Sequence, residues 1–396
     1  MEKKFVYADN TATTALSDAA FDAMMPYFKT LYGNASSIHS LGYESKKAVE
    51  ESRKKVAAAI NARVNEIYFT SGGSESDNWA LCSSLLMRGA KGKHLIISAI
   101  EHSAVFRTAE TLKTRGYEVT CLPVDEFGKV SPQQLKNAIR DDTALISIMM
   151  ANNEIGTIQP IKELCQIARE RRVPFHTDAV QTVGHIPVDV RDLGVDMLSL
   201  SAHKFRGPKG VGALYVRTGF ALPPLIIGGG QEKNKRSGTE NVPGIVGMAT
   251  ALTEAVTNMA DNTPKITAMR DRIIAAVMQI DGASLTGDPL DRLPGIASFL
   301  FSGLESKAMV AALSQAGICA SSGSACSSGS TELTRALSGI AKIDANAPTE
   351  KVGNPKYGAL RLSLNECNTA ADVDAILREL PLVIRELHIR KPSPLF

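Results

Sequence analysis

Between about residues 65 and 217 the chain alternates short apolar runs with amphipathic stretches, and few folds accept that rhythm. The runs are EIYFT, HLIISA, YEVTCLP, ALISIMM, VPFHTD, DMLSLS and GALYV. Each has the length of a strand, bounded by turn signals. Helical stretches such as 76–88 and 161–171 lie between several of them. Ser131-Pro132-Gln133-Gln134 has the marks of a helix start: a serine that can cap, a proline suited to the first turn, and a glutamine able to reach back. Alternation of this kind predicts an α/β fold whose mostly parallel sheet is covered on both faces.

Beyond residue 242 the rhythm changes. Helical segments near 243–258 and 264–280 precede a strand IASFLF, a helix at 305–316, a strand GALRLSL and a last amphipathic helix over about 370–387. This reads as a smaller α+β domain, and 396 residues suit two domains. The expected division is a large domain over 15–255, with 1–14 and 256–396 forming the small one. Within the latter, CASSGSACSSGSTE at 319–332 is rich in Ser and Gly, so a mobile loop is expected over about 320–335.

Charge and cysteine content narrow the function classes. Forty-four Lys and Arg against 41 Asp and Glu leave +3, too little to suggest nucleic acid or a membrane surface. The start MEKKFVYADN lacks the apolar stretch of a signal peptide, and no run of about 18 apolar residues suggests a membrane span. The six cysteines at 82, 121, 165, 319, 326 and 367 form no C-x-x-C pair, so neither zinc nor a disulfide framework is expected. A reducing cytoplasm is the simplest expectation.

In a parallel α/β sheet, ligands bind outside the carboxyl ends of the strands. FTSGGSESDN follows such a strand: Gly72 and Gly73 permit a tight turn, Ser74 offers a hydroxyl, and the first helix amides favour an anion such as phosphate. A Ser-capped turn explains the same residues. Asp178 ends VPFHTD, with Gln181 three residues on; a buried carboxylate there needs a cation such as a pyridinium nitrogen, unless it is a helix cap. His102 follows HLIIS and could stack on a ring or shuttle protons, or be structural. Asn153 follows ALISIMM, either a ligand-binding amide or a loop amide.

Lys204 in SLSAHKFRGPKG sits where an apolar strand meets Gly and Pro. A partly desolvated amine has a lowered pKa and can form an imine with an aldehyde. An aldehyde carrying a phosphate, a ring nitrogen and a phenolic oxygen would use every group named, and pyridoxal 5′-phosphate (PLP) is that cofactor. Its protonated ring is an electron sink that Asp178 would maintain. A surface lysine in a Gly-Pro turn is the alternative. Cys326 lies in SSGSACSSGS, without the apolar neighbours of a structural cysteine; a thiol there could take an atom and carry it away. Arg361 breaks the apolar strand ALRLSL, and its fork can hold a carboxylate, whether an amino acid's or that of a structural Asp or Glu. Cys82, Cys121, Cys165 and Cys319 receive no role, and Cys367 is left open.

VYADNTATT, YGNASSIHSLG, FTSGGSESDN, EHSAV, NNEIGTIQPI, HTDAVQTVGHIPVD, SAHKFRGPKGVGALYV, RSGTEN and SSGSACSSGS follow one another along nearly the whole chain. In that order they resemble the cysteine desulfurases, PLP enzymes of the class-V aminotransferase group, and most of all the branch serving nitrogen fixation and iron–sulfur cluster assembly. The resemblance implies the PLP-dependent transferase fold type I, with a seven-stranded sheet in the large domain. It implies a homodimer with sites near the subunit interface. Lys204 would hold PLP covalently, with His102 stacked on the ring and assisting proton transfer. Asp178 would pair with the ring nitrogen and Gln181 with the phenolic oxygen. Gly73, Ser74, Ser201 and His203 would bind the phosphate, and Thr239 in RSGTEN would reach that of the neighbouring subunit. Asn153 and Arg361 would hold the substrate carboxylate.

The implied reaction turns L-cysteine into L-alanine, with Cys326 taking the sulfur as a persulfide. The sulfur would serve iron–sulfur clusters or thiolated cofactors and tRNA, through an acceptor such as an iron–sulfur scaffold protein. No resident metal is implied, although Cys326 could transiently ligate an iron–sulfur cluster. The alternatives are a selenocysteine lyase or other class-V PLP enzyme, and a non-catalytic sulfur-relay or scaffold protein. The sequence departs from the family at STELTRAL, where LEPS is common, at LSLNEC, and in a longer link at 339–357 that is either a docking element or a neutral loop.

Overall fold

A computed structural model describes residues 5–88, 92–323, 335–340 and 357–389. Its strands are β1 (Val6–Tyr7), β2 (Ile67–Thr70), β3 (His94–Ser98), β4 (Glu118–Leu122), β5 (Thr143–Ser147), β6 (Phe175–Asp178), β7 (Met197–Ser201), β8 (Gly212–Val216), β9 (Ala283–Leu285), β10 (Ile296–Ser302), β11 (Ile318–Cys319) and β12 (Tyr357–Ser363). The seven runs expected from the sequence are the seven strands of the central sheet, ordered β2-β8-β7-β6-β5-β3-β4. β7, β6, β5, β3 and β4 run parallel, and β8 is reversed against both β7 and β2. Every residue of β3, β5, β7 and β8 is buried, as a sheet covered on both faces requires. The edge strands break the pattern: β2 leaves Tyr68 half-buried, and β4 exposes Glu118 and Cys121.

The two faces are sealed differently. On one, Trp79, Leu85, Leu95, Ile97 and Leu112 pack together, with the Trp79 indole N–H donating to the Pro223 carbonyl at 2.7 Å. On the other, Val49 and Val56 of helix Ser40–Ala59 meet Ile245, Met248 and Leu252 of helix Val242–Val277 beneath the sheet. That long helix then enters a second core, where Ile266, Ile273 and Val277 pack with Phe299, Phe301, Leu360 and Val373. The sequence pattern predicts two helices here with a break around MADNTP. The structure has one, with Pro264 inside it, because packing at both ends outweighs a poor local propensity.

The second core lies under the antiparallel sheet β12-β10-β9. Beside it β1 pairs in parallel with β11, and Asp9 bridges to Ser363 at the end of β12. The start of the chain is thereby stitched to its last strands.

Where the central sheet turns into the site, two glycines touch. A Cβ on Gly212 would lie 2.5 Å from the Leu200 carbonyl oxygen and 2.8 Å from the Gly72 Cα. Neither neighbour is a side chain that can swing away. Gly212→Ala should therefore lose about 1–3 kcal/mol by overpacking, read as a lower urea midpoint. An unchanged midpoint would show that the contact relaxes freely.

Candidate active site

The carboxyl ends of the parallel strands do converge on one cavity of about 260 Å³. Helix Gly73–Arg88 opens at it after β2, and His102 caps the helix Ser103–Thr114 that follows β3. Asn153 lies beyond β5, Asp178 ends β6, and Ser201 ends β7. A single tight turn over Ala202–Lys204 then delivers His203 and Lys204. Gln181 and Arg361 complete the set: ten of the twelve residues singled out from the sequence line this cavity. Thr239 is exposed and lies outside it, and Cys326 lies outside the described residues, as does most of the expected loop and the link at 339–357.

Residues 9–14 run along the same cavity and touch four of the ten. The Lys204 amine donates to the carbonyl oxygens of Thr11 (2.6 Å) and Ala12 (2.9 Å). The Gln181 amide also donates to Thr11 O, at 3.1 Å. His203 Nδ1 lies 3.1 Å from the Thr13 hydroxyl, and its carbonyl accepts from the Thr14 amide and hydroxyl at 3.0 and 2.9 Å. Arg361 donates through Nη2 to Asp9 Oδ1 (2.8 Å) and through Nη1 to the Asn153 carbonyl (2.9 Å). So Arg361 has the structural acid that the sequence left open. Sequence reasoning missed this segment as part of the site; its one signal is a run of small polar residues after a very short strand.

Gly73 sits at a close approach: a Cβ there would come within 2.6 Å of Val180 Cγ2. The bare backbone leaves the helix start facing the cavity beside Ser74 and Ser201.

Burial dominates the electrostatics. It pushes the Asp178 carboxyl above its ordinary range, opposed by His102, by the Val180 amide that donates to Oδ1 at 2.9 Å, and by Lys204. Burial also lowers the His102 pKa; Asp178 pulls it back up and Lys204 pushes it down. Burial thus favours the neutral ring. Its Nδ1 accepts from the Ala104 amide at 3.2 Å, which puts the proton on Nε2.

Asp77 is the side chain the sequence reading overlooked. It lies one turn after Gly73 on the same helix face, which is the signal that could have found it. It is buried in the cavity wall, and polar atoms of Asp77, His102 and Asp178 lie within 4.8 Å of one another, a set that could also span a metal ion. Burial, then Asp178, push the Asp77 carboxyl well up, which favours its neutral form. Below lies Glu101, raised to about 8 by burial against hydrogen bonds from Ser98 and from the Met149 amide at 3.0 Å. His176, lowered to about 3 by burial, bridges the hydroxyls of Ser147 (2.8 Å) and Ser199 (2.9 Å). His203 is held down to about 4 by burial and by Lys204 and Lys209.

The aminotransferase class-V family matches residues 6–376. The chain belongs to that family. A cysteine desulfurase IscS from Methanosarcina thermophila is 48% identical over 394 residues, which cover 100% of this chain and 95% of that protein. One from Dictyoglomus turgidum is 48% identical over 391 residues, 98% of this chain and 97% of that protein. Among solved structures, a NifS-like protein superposes with a TM-score of 0.88 at 36% identity, over 97% of this chain and 100% of that one. SspA in complex with cysteine gives 0.77 at 34% identity, over 91% and 99%. The mostly parallel seven-stranded sheet of this class-V member is consistent with fold type I of PLP-dependent transferases.

Glu101 makes stability depend on pH. Its pKa is about 8 in the folded chain against 4.5 for an ordinary glutamate. The folded state therefore binds the extra proton between these values, and stability falls as pH rises through that window. Glu101→Gln keeps an acceptor for Ser98 and Met149 but cannot ionise. Its melting temperature should match the parent at pH 5 and exceed it increasingly towards pH 8.5. A gap that does not change with pH would place the Glu101 pKa elsewhere.

Proposed function

We propose that this chain is a PLP-dependent cysteine desulfurase that converts L-cysteine to L-alanine and transfers the sulfur to Cys326 as a persulfide. The observation that carries the reading is the meeting of the Lys204 amine, the buried Asp178 carboxyl and the open helix start at Gly73 and Ser74 in one cavity. It agrees with relatives named cysteine desulfurase along their full length.

The residues fit PLP. A charge on Asp178 is costly where it sits and would be offset by a protonated ring nitrogen. The helix start at Gly73, with no Cβ in the way, suits the phosphate together with Ser74, Ser201 and His203. Lys204 would bond the aldehyde and Gln181 the phenolic oxygen. When bound, PLP supplies an electron sink for charge developing on the substrate.

The chain supplies the rest. Lys204 and His102 are the groups we assign to proton movement, with the His102 proton on Nε2. Arg361 and Asn153 hold the substrate carboxylate. The Cys326 thiolate then bonds to the substrate sulfur as the carbon–sulfur bond breaks, and the carbon left behind takes a proton to become the methyl of alanine. The L-cysteine and thiol consumed thus balance the alanine and persulfide formed.

The assembly we infer is a cytoplasmic homodimer. Large apolar side chains stand exposed along residues 21–43 and at Ile227, including Phe28, Tyr32 and Ile38, which favours a covering partner. Exposure of Thr239 suits its reach to the neighbour's phosphate. We take the sulfur acceptor to be a protein such as an iron–sulfur scaffold, or a cofactor or tRNA thiolation pathway. No helix of the described residues is long and apolar enough to cross a membrane. We also divide the chain at 15–255, with 1–14 and 256–396 as the second domain, in line with the two separate cores.

Purified protein should be yellow, and borohydride should trap the cofactor on Lys204. L-cysteine with dithiothreitol should give sulfide and alanine in equal amounts. Cys326→Ala should keep its colour while sulfide release drops by roughly two orders of magnitude or more. Release at the parent rate would end the carrier role, and protein unable to take up PLP would end the whole reading.

A further inference from the structure

Arg361 is 2% exposed and has one of the chain's own carboxylates beside it. Asp9 meets it through one oxygen only, at 2.8 Å on Nη2. A guanidinium has five donors. Among the described residues Asp9 and the Asn153 carbonyl take one each, while Nε is buried without a partner. The fork is therefore held in place yet has donors to spare for a second carboxylate.

The main chain that carries Asp9 is anchored beside Arg361. The neighbours of Asp9 are pinned on both sides: the Ala8 amide donates to Cys319 O at 2.9 Å, Ser363 N donates to Ala8 O at 2.7 Å, and Asn10 N donates to Ser363 O at 3.2 Å. Arg361 is equally fixed, its backbone paired with Ser298 and exchanging two bonds with Ser321. The occupied site thus holds one guanidinium between two carboxylates that repel each other in a partly dry cavity.

We propose that Asp9 is a positioning and specificity-determining residue: it orients Arg361 and, by like-charge repulsion, sets how weakly an amino-acid carboxylate binds. This rests on the assignment of the substrate carboxylate to Arg361. Asp9 acts through Arg361 and needs no contact with the substrate. The design keeps the buried cation compensated between turnovers and lets product leave.

The test uses the PLP-loaded enzyme and three amino compounds. Dissociation constants for L-alanine and for cysteamine, which has no carboxylate, are read from the visible absorbance of the bound cofactor, and KM and kcat are measured for L-cysteine. Asp9→Asn keeps an acceptor for Nη2 and removes the charge. It should tighten L-alanine binding and lower KM by roughly three- to thirtyfold, the scale of a like charge several ångströms away in a partly buried site. Cysteamine binding and kcat should stay within about twofold, since neither involves the removed charge. Asp9→Glu should restore the parent constants. Unchanged or weaker L-alanine binding in Asp9→Asn, or an equal change for cysteamine, overturns the proposal. Arg361→Gln separates the two readings. If it leaves L-alanine binding intact, Arg361 is not the carboxylate site; if it weakens L-alanine binding while Asp9→Asn changes nothing, only the role of Asp9 falls.

Discussion

A lysine amine can sit inside a protein only where oxygen atoms replace its water, and two backbone carbonyls do that for Lys204. Those carbonyls belong to Thr11 and Ala12, nearly two hundred residues earlier. The site therefore exists only if the start of the chain is brought across the edge of the central sheet. β1 pairing with β11 and the bridge from Asp9 to Ser363 perform that placement. The same six residues then serve Gln181, His203 and Arg361, so one extended segment registers side chains that come from three distant parts of the sequence.

The cavity also has to distribute charge. Asp77 and Asp178 are buried in its lining and interact with the buried Glu101, and burial opposes charging all three. What distinguishes Asp178 is its surroundings. It accepts from the Val180 amide and feels both His102 and Lys204, whereas Asp77 has an oxygen with no partner among the described residues, and Glu101 is far up its titration range. Of the three, the carboxyl at the end of β6 has the most to offset its burial, and a ring nitrogen could pair with it there.

Much of this was legible in the sequence. Strands buried on both faces read as plain apolar runs, so the seven central strands stood out, and the topology of parallel sheets then pointed to their carboxyl ends. Asp178 and Lys204 follow directly from that logic, whereas Ser201 came from the family resemblance. The contribution of Thr11 and Ala12 could not be read, because it is made by main-chain oxygens that any residue would offer. The pairing of Asp9 with Arg361 spans 352 positions, and no local pattern carries such a distance. Asp77 could have been read from helix periodicity once Gly73 was assigned. The unbroken helix Val242–Val277 was hidden because its middle has poor intrinsic propensity while its two ends are held by different cores.

The division of labour between the two sheets explains the selectivity expected of such a site. Lys204 stands beyond the carboxyl end of β7 in the central sheet, and Arg361 is on β12 of the smaller one. Two links fix their separation. One is the helix Val242–Val277, which enters both cores; the other is the stretch from Asp9 to Ala12, three residues that span at most about 11 Å. Asp9 holds the guanidinium and Ala12 the amine, so both groups are anchored to one short stretch of main chain. On the roles proposed for Lys204 and Arg361, a substrate whose amine replaces Lys204 at an aldehyde would place its carboxylate at Arg361 within that span. An α-amino acid, with both groups on one carbon, satisfies the restriction without help from its side chain. The side chain is then left free to point to whatever group is to receive its terminal atom.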